Sequence, residues 1–187
     1  NNLNHFHINI LSKYSEYNSK EFLYTTSSIG SPLKLYRYNI ETQENDLIYK
    51  KRLRGFQGEN FVGKIINASL KDDKYVNTKN KTIKIPISYY YNMELYKKKS
   101  DFKNCPIYIT GYGSYGTELS NSFSKMYPML LKKGFVIVML HIRGGGENGL
   151  EWYKGGKMLN KINSILDFQN GIKYISDYFN SKKIAVR

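Results

Sequence analysis

The sequence predicts an α/β protein that begins with a small antiparallel sheet. Short alternating segments with tight polar turns fill residues 21–50, which is typical of antiparallel strands. The unbroken apolar run Phe135–Leu140 is typical of a central parallel strand that is covered on both faces. Most of the fifteen glycines lie between residues 111 and 171, mainly where predicted strands end. Together these three observations predict an α/β fold with its chemistry at the ends of strands.

The composition limits the class of protein. With 187 residues, 41% of them hydrophobic, the chain can form the core of one domain or of parts of two. No apolar run is long enough to cross a membrane, so no membrane partner is expected. The first residues show neither a signal-peptide layout nor an initiator methionine, which suggests a chain that starts inside a longer protein. The single cysteine, Cys105, excludes an internal disulfide and fits a reducing compartment, so a cytoplasmic location is expected.

The formal net charge of +14 raises the question of nucleic acid. The lysines are scattered, however, and Lys97-Lys98-Lys99 is the only triple. No zinc-ligand set or RNA-binding signature accompanies them. The charge is therefore interpreted as a solvated surface, and no nucleic-acid partner, metal or cofactor is expected.

The pattern of residues 1–60 predicts strands that cannot form a hydrophobic core by themselves. Three short segments alternate and are separated by polar or glycine-containing turns: 21–28, 33–38 and 46–50, with turns at 30–32 and 41–45. Such a meander needs a neighbour to cover its faces. Two interpretations stay open from the pattern alone, a propeller blade and the edge meander of a mixed sheet. Residues 54–60, with two glycines, predict a linker.

Residues 61–187 alternate between strands and helices. The pattern predicts strands at 64–70, 82–91, 107–110, 135–140 and from 184 onward, and helices at 123–133 and 161–179. Pro86 predicts that its strand lies near an edge or carries a bulge. The helix at 161–179 is predicted to bury an apolar stripe that runs from Ile162 to Phe179. Asp167 lies beside that stripe and is predicted to be a structural carboxylate rather than a catalytic one.

The stretch Gly111-Tyr-Gly-Ser-Tyr-Gly116 follows one of these strands directly and has three interpretations. It matches the glycine spacing of a dinucleotide fingerprint, but Tyr112 and Tyr115 stand where a pyrophosphate needs bare backbone. It also suits an oxyanion loop of an α/β-hydrolase, which follows a strand in the same way. The third interpretation is a turn that only connects a strand to a helix. Two phenols on a glycine loop at a strand's carboxyl end are in any case a plausible binding site.

Taken in order, the motifs resemble the prolyl oligopeptidase family of serine peptidases, most closely its oligopeptidase B branch. The motifs are Gly111-Tyr-Gly-Ser-Tyr-Gly116, His141-x-Arg-Gly-Gly-Gly-Glu147, Gly149-x-x-Trp152-Tyr153, Gly156-Lys157 and Asp167-Phe168. Upstream, Tyr24–Ser28, Pro32 and Tyr36-x-Tyr38 resemble the last propeller blade of that family, and Ile85–Ser88 resembles its early hydrolase strand. The resemblance therefore covers most of the chain.

The resemblance implies a partial α/β-hydrolase domain at 61–187, preceded at 1–60 by the antiparallel strands of a terminal β-propeller blade and a linker. It implies that Tyr112 is the tyrosine of the oxyanion hole and that Tyr115 lines the substrate pocket. Arg143 and Glu147 then have a structural role in holding the glycine loop. The implied substrate is a short peptide, and the implied partners are the remainder of the propeller and of the hydrolase domain.

The chain departs from the family pattern at the nucleophile. A Gly-x-Ser-x-Gly elbow should follow the strand that starts at Ile184, but the chain ends at Arg187 and contains no such motif elsewhere. Ser114 does not fit the elbow, and His141 is predicted to be a packed histidine rather than a base. The triad is therefore expected outside this segment, and the segment alone is expected to be inactive. The alternatives are a catalytically dead hydrolase-like binding module and a dinucleotide-binding domain.

The positions that follow the glycine loop also differ from those of the oligopeptidase B branch. Its members carry acidic residues there for basic substrate side chains, whereas this chain has Ser120 and Ser122. The resemblance therefore does not extend to a preference for paired basic residues, and the choice between basic residues and proline in the substrate stays open.

Overall fold

The structure is a computed structural model that describes residues 7–12, 16–54, 60–71 and 82–187. In these ranges nine strands form two separate sheets. The first sheet is antiparallel and has the order β1-β2-β3-β4. Its strands are β1 (His7–Ile10), β2 (Glu21–Ser28), β3 (Ser31–Asn39) and β4 (Asn45–Lys50).

Cross-strand aromatic pairs stabilise the first sheet. Tyr24 lies opposite Tyr36, and their rings stack with centroids 5.2 Å apart. The predicted meander is confirmed, but the prediction missed β1, a four-residue strand that precedes the first predicted one. Pro32 belongs to β3 rather than to the preceding turn.

The second sheet is mixed and has the order β5-β6-β8-β7-β9. β5 and β6 are antiparallel to each other, β6 is antiparallel to β8, and β7 is parallel to both β8 and β9. The strands are β5 (Phe61–Lys71), β6 (Thr82–Asn92), β7 (Ile107–Gly111), β8 (Val136–Leu140) and β9 (Ile184–Val186). The helices are α1 (Met126–Lys132), α2 (Leu150–Lys154) and α3 (Lys161–Phe179), with 3₁₀ turns at Lys99–Phe102 and Met158–Asn160.

The central strand β8 is buried on both faces, as its apolar run predicted. Val138 and its neighbours two residues away pack with Ile175 and Phe179 of α3. Ile137, on the opposite face, belongs to a second cluster with Leu131 of α1. Alternate residues of one strand therefore build both layers of the core.

Ile29, at the turn between β2 and β3, connects the two sheets. It is fully buried and belongs to the same cluster as Phe61, Leu131 and Ile137 of the second sheet. Burying one such side chain stabilises the contact by about 1.5–3 kcal/mol. The antiparallel sheet is thus attached to the mixed sheet through an apolar contact at this turn.

Two local predictions need correction. β6 is an inner strand that pairs along its length with β5, and Pro86 lies opposite Asn67 within that pairing. The proline is tolerated because β8 pairs with β6 only from Ile87 onward, and the Pro86 carbonyl accepts a hydrogen bond from the His141 amide just beyond β8. Helix α1 begins at Met126 rather than at 123, so Pro128 falls in its first turn, where no amide donor is needed. Most of the predicted linker lies outside the described residues.

The bounds of α3 agree with the prediction, but the predicted buried face is wrong in its first half. Ile162 and Ile165 are 41% and 49% exposed. The buried positions there are small or polar, namely Asn163, Ser164, Asp167 and Gly171. The reason is that this half of α3 packs on glycine-rich loops and on Leu140, which would lie 2.8 Å from a Cβ at Gly171.

Within the ranges that the structure describes, no helix combines the length and the apolar character that a membrane crossing requires.

Candidate functional site

The loops that follow β7 and β8 lie side by side. These strands are parallel neighbours with Gly111 opposite Leu140, so both loops leave the same edge of the sheet. The first is called the tyrosine loop (residues 111–117) and the second the arginine loop (residues 141–147). In open α/β sheets this edge is where ligands bind.

The tyrosine loop has an unusual backbone. Gly113, Tyr115 and Gly116 all have φ near +60°. For a tyrosine this left-handed conformation costs about 1–2 kcal/mol, so the surroundings must hold it. The Gly116 amide donates to the Gly144 carbonyl (3.0 Å), and the Thr117 amide donates to the Ser114 carbonyl (3.0 Å).

Both phenols of the tyrosine loop reach solvent. Tyr112 is 50% and Tyr115 84% exposed. Within the described part of the chain, neither hydroxyl makes a hydrogen bond to another group. Each therefore offers a donor to a ligand.

An ion pair between Arg143 and Asp167 holds the arginine loop on α3. The Arg143 guanidinium donates two hydrogen bonds to the carboxylate, from Nε to Oδ2 (2.8 Å) and from one terminal nitrogen to Oδ1 (2.7 Å). The Arg143 backbone amide donates a third to Oδ2 (3.0 Å). Asp167 is fully buried and Arg143 is 7% exposed. The predicted structural carboxylate thus binds both the side chain and the backbone of Arg143.

Three segments lie so close together that their backbones leave no room for side chains. They are the tyrosine loop, the arginine loop and the turn at Gly156. A Cβ at Gly144, whose φ is +97°, would lie 2.1 Å from the Gly113 carbonyl oxygen. A Cβ at Gly156 would lie 2.3 Å from the Arg143 carbonyl carbon. Both positions require glycine. A side chain at Gly144 would push the tyrosine loop away from the arginine loop, and one at Gly156 would push its own segment away from the arginine loop.

Glu147 connects the arginine loop to the segment after the tyrosine loop. Its Oε1 accepts hydrogen bonds from the Leu119 amide (3.0 Å) and from His141 Nδ1 (3.2 Å). Burial alone would raise the pKa of Glu147, but the hydrogen bonds from His141 and Leu119 outweigh it and lower the pKa below the ordinary 4.5.

One row of hydrogen bonds has the order of a catalytic triad, namely Ser88, His141 and Glu147. Ser88 Oγ lies 2.7 Å from His141 Nε2, and the other ring nitrogen faces Glu147. Ser88, however, is 1% exposed in the middle of β6, so no substrate carbonyl can reach it. These hydrogen bonds hold His141 in its buried position, which agrees with the prediction that His141 is a packed histidine.

Two polar side chains of α3 support the loops and were missed from the sequence. Lys161 Nζ donates to the Gly113 carbonyl (2.6 Å) and to Ser114 Oγ (2.7 Å). Ser164 Oγ donates to the Arg143 carbonyl (2.6 Å). Lys161, Ser164 and Asp167 recur every three residues, and this polar helical spacing is the signal that could have identified them.

The structure brings all four predicted site residues into these two adjacent loops: Tyr112, Tyr115, Arg143 and Glu147. It gives no support to a dinucleotide site, because the helix that such a fingerprint needs starts at Met126 and not at the end of the glycine loop. In the described part of the chain, no three His, Cys, Asp or Glu side chains cluster as a metal site would require.

The mixed sheet and its loops define an α/β protein with a site at the carboxyl edge of parallel strands. Residues 121–187 match the sequence model of the prolyl oligopeptidase family. Dipeptidyl aminopeptidase BI of Pseudoxanthomonas mexicana is 32% identical over 152 residues, which cover 81% of this chain and 19% of that protein. The family predicted from the motifs is thereby confirmed, and this chain is a relative of the prolyl oligopeptidases.

Solved structures agree over almost the whole chain. Oligopeptidase B from Leishmania major superposes with a TM-score of 0.77 at 25% identity, over 97% of this chain and 24% of that one. Prolyl oligopeptidase B from Galerina marginata, bound to a 35mer hydrolysis and macrocyclization substrate, gives a TM-score of 0.78 at 22% identity. That comparison covers 98% of this chain and 24% of the other, and it shows the fold alone. The chain spans about a fifth to a quarter of the length of these proteins.

Replacing Asp167 by asparagine should destabilise the chain strongly. The Asp167→Asn variant breaks the buried pair between Asp167 and the Arg143 guanidinium, and breaking such a pair by removing one partner typically costs about 3–5 kcal/mol, so we expect a loss of roughly that size. Urea unfolding followed by the fluorescence of Trp152 measures it. Asp177→Asn, on the exposed face of the same helix, is the matched control and should change the free energy of unfolding little. Equal effects of the two substitutions would show that the ion pair does not hold the fold.

The contribution of Glu147 to stability should depend on pH. A carboxyl group whose pKa is lowered by folding stabilises the fold above its unfolded pKa of about 4.5. It loses that contribution as the pH falls through the lower folded-state value. The difference in unfolding free energy between wild type and Glu147→Gln should therefore shrink from pH 7 to pH 3. Glu151→Gln, on the exposed α2, is the control; a difference for Glu147→Gln that stays constant across this range would contradict the assignment.

Proposed function

We propose that this chain contributes the oxyanion-binding part of a serine-type oligopeptidase, which hydrolyses peptide bonds in short peptides by a Ser-His-Asp mechanism. The observation that carries the proposal is the Tyr112 phenol, an exposed donor without a protein partner in the described residues. It stands on a loop whose backbone is fixed by the arginine loop.

The place of β9 supports the proposal. β9 is parallel to β7, with Ile109 opposite Val186, so its carboxyl end opens beside the tyrosine loop. In α/β-hydrolases the nucleophilic serine sits on a sharp turn directly after such a strand. A serine that follows Arg187 on that turn would be next to Tyr112. The nucleophile, base and orienting acid would then come from outside residues 1–187.

The proposed mechanism gives each site residue one role. The serine attacks the peptide carbonyl, and the Tyr112 hydroxyl donates to the oxygen on which negative charge develops. Tyr115 lines the substrate pocket with its exposed ring. Arg143 and Glu147 do not touch the substrate and hold the two loops in register through Asp167 and Leu119. No cofactor or metal takes part.

Residues 1–60 would form the last blade of a β-propeller and its linker, and residues 61–187 the first half of the hydrolase domain. The antiparallel sheet supports this division, because apolar side chains on it are half exposed, among them Ile8, Ile10, Leu47 and Ile48. Such a sheet needs neighbouring strands to cover it. The proposed partners are the rest of the propeller and of the hydrolase domain, with a short peptide as substrate.

A cytoplasmic location is part of the proposal. Cys105 is buried and forms no disulfide, and a chain without disulfides fits a reducing compartment.

In the full-length protein that contains this chain, Tyr112→Phe should lower kcat by roughly 10²–10³-fold, the usual loss for one oxyanion donor. KM should change little, because the ground-state carbonyl is a weaker acceptor than the oxyanion. Steady-state kinetics with short fluorogenic peptides measure both constants.

Tyr115→Ala is the matched control for this experiment, since it alters the neighbouring phenol and should mainly raise KM. Residues 1–187 alone should show no turnover in the same assay. An unchanged kcat with a raised KM for Tyr112→Phe would show that the loop positions substrate and does not stabilise the transition state.

A further inference from the structure

Lys161 connects helix α3 to the tyrosine loop. Its Nζ donates to the Gly113 carbonyl (2.6 Å) and to Ser114 Oγ (2.7 Å). The side chain is partly buried, and among the described residues it makes no ion pair with a carboxylate. Its hydrogen-bonding capacity is directed at this loop.

The position of Lys161 in its helix is electrostatically unfavourable. It is the first residue of α3, where the helix dipole is positive and a cation is destabilising. No acidic residue stands in the first turn of α3, and no side chain caps it. The hydrogen bonds to the tyrosine loop therefore compensate for the unfavourable interaction of the Lys161 charge with the helix dipole.

Lys161 contacts the middle of the tyrosine loop, at Gly113 after Tyr112 and at Ser114 before Tyr115, but the two halves of the loop have different further support. Gly113 directly follows Tyr112, and the second donor near its carbonyl, Ser164 Oγ, is at 3.5 Å. The other half, which carries Tyr115, is held separately by the amide hydrogen bonds of Gly116 and Thr117. Loss of the lysine should therefore move Tyr112 more than Tyr115.

We propose that Lys161 is a positioning residue that clamps the Gly113 carbonyl and thereby aims the Tyr112 phenol at the developing oxyanion. The proposal rests on the function proposed above for Tyr112. A preorganised donor acts on the transition state only while its direction is fixed, so the clamp affects kcat and leaves substrate binding almost unchanged.

The test uses the full-length protein with Lys161→Met, which keeps an unbranched side chain and removes the donor. We expect kcat to fall on the order of 10- to 100-fold, the range for a misplaced catalytic group, with nearly constant KM. Lys161→Arg, which restores a cationic donor, should recover part of the loss. Lys173→Met, on an exposed position of the same helix, is the control and should leave both constants unchanged.

A double-mutant cycle with Tyr112→Phe tests whether Lys161 acts through the phenol. In the Tyr112→Phe background, Lys161→Met should lower kcat by less than about 2-fold, because the donor that it positions is already absent. Independent, multiplicative losses would overturn the positioning role, and so would a raised KM with an unchanged kcat.

The cycle separates this inference from the proposed function. If Tyr112→Phe alone leaves kcat intact, the oxyanion assignment fails and the clamp fails with it. If Tyr112→Phe lowers kcat but Lys161→Met does not, only the clamp is overturned. If circular dichroism shows that Lys161→Met does not fold, Lys161→Ala, which also removes the donor and favours the helix, replaces it in the same cycle with the same expected and contradicting outcomes.

Discussion

The buried ion pair between Arg143 and Asp167 is the interaction on which the rest of the site depends. Its net contribution to stability is modest, because taking two charges out of water costs about as much as their attraction returns. Its geometric effect is large, since one carboxylate binds the guanidinium and the backbone amide of Arg143 together. The turn after β8 therefore has one orientation relative to α3.

The tyrosine loop takes its shape from that turn. The Gly144 carbonyl accepts from the Gly116 amide, and the absence of a side chain at Gly144 lets the Gly113 carbonyl approach it. The two loops thus pack backbone against backbone, and polar side chains of α3 support them. The phenols of Tyr112 and Tyr115 are exposed on the tyrosine loop. The tyrosine loop also packs on the apolar core, because a Cβ at Gly113 would lie 2.6 Å from the Ile142 side chain and a Cβ at Gly111 would lie 2.7 Å from the Phe168 ring.

The parts of the fold that follow from local pattern were predictable from the sequence. The apolar run of β8 predicts its burial on both faces, the alternation in β2 and β3 predicts that they are strands, and the glycines after β7 and β8 mark the site. The buried face of α3 was not predictable from apolar spacing, because its first half buries small and polar residues against the backbone of glycine-rich loops and only a few apolar side chains, among them Leu140. Lys161 was missed because a lysine on a helix usually faces water, and only the neighbouring loop gives it another role.

The central claim is that the Tyr112 hydroxyl stabilises the tetrahedral intermediate of peptide hydrolysis. The most direct measurement is a crystal structure of the full-length protein with a peptide aldehyde bound covalently to its serine, which mimics that intermediate. The account predicts that the Tyr112 hydroxyl oxygen lies about 2.5–3.0 Å from the oxygen of the adduct. An adduct oxygen bound by other donors, with the Tyr112 phenol beyond hydrogen-bonding distance, would contradict it.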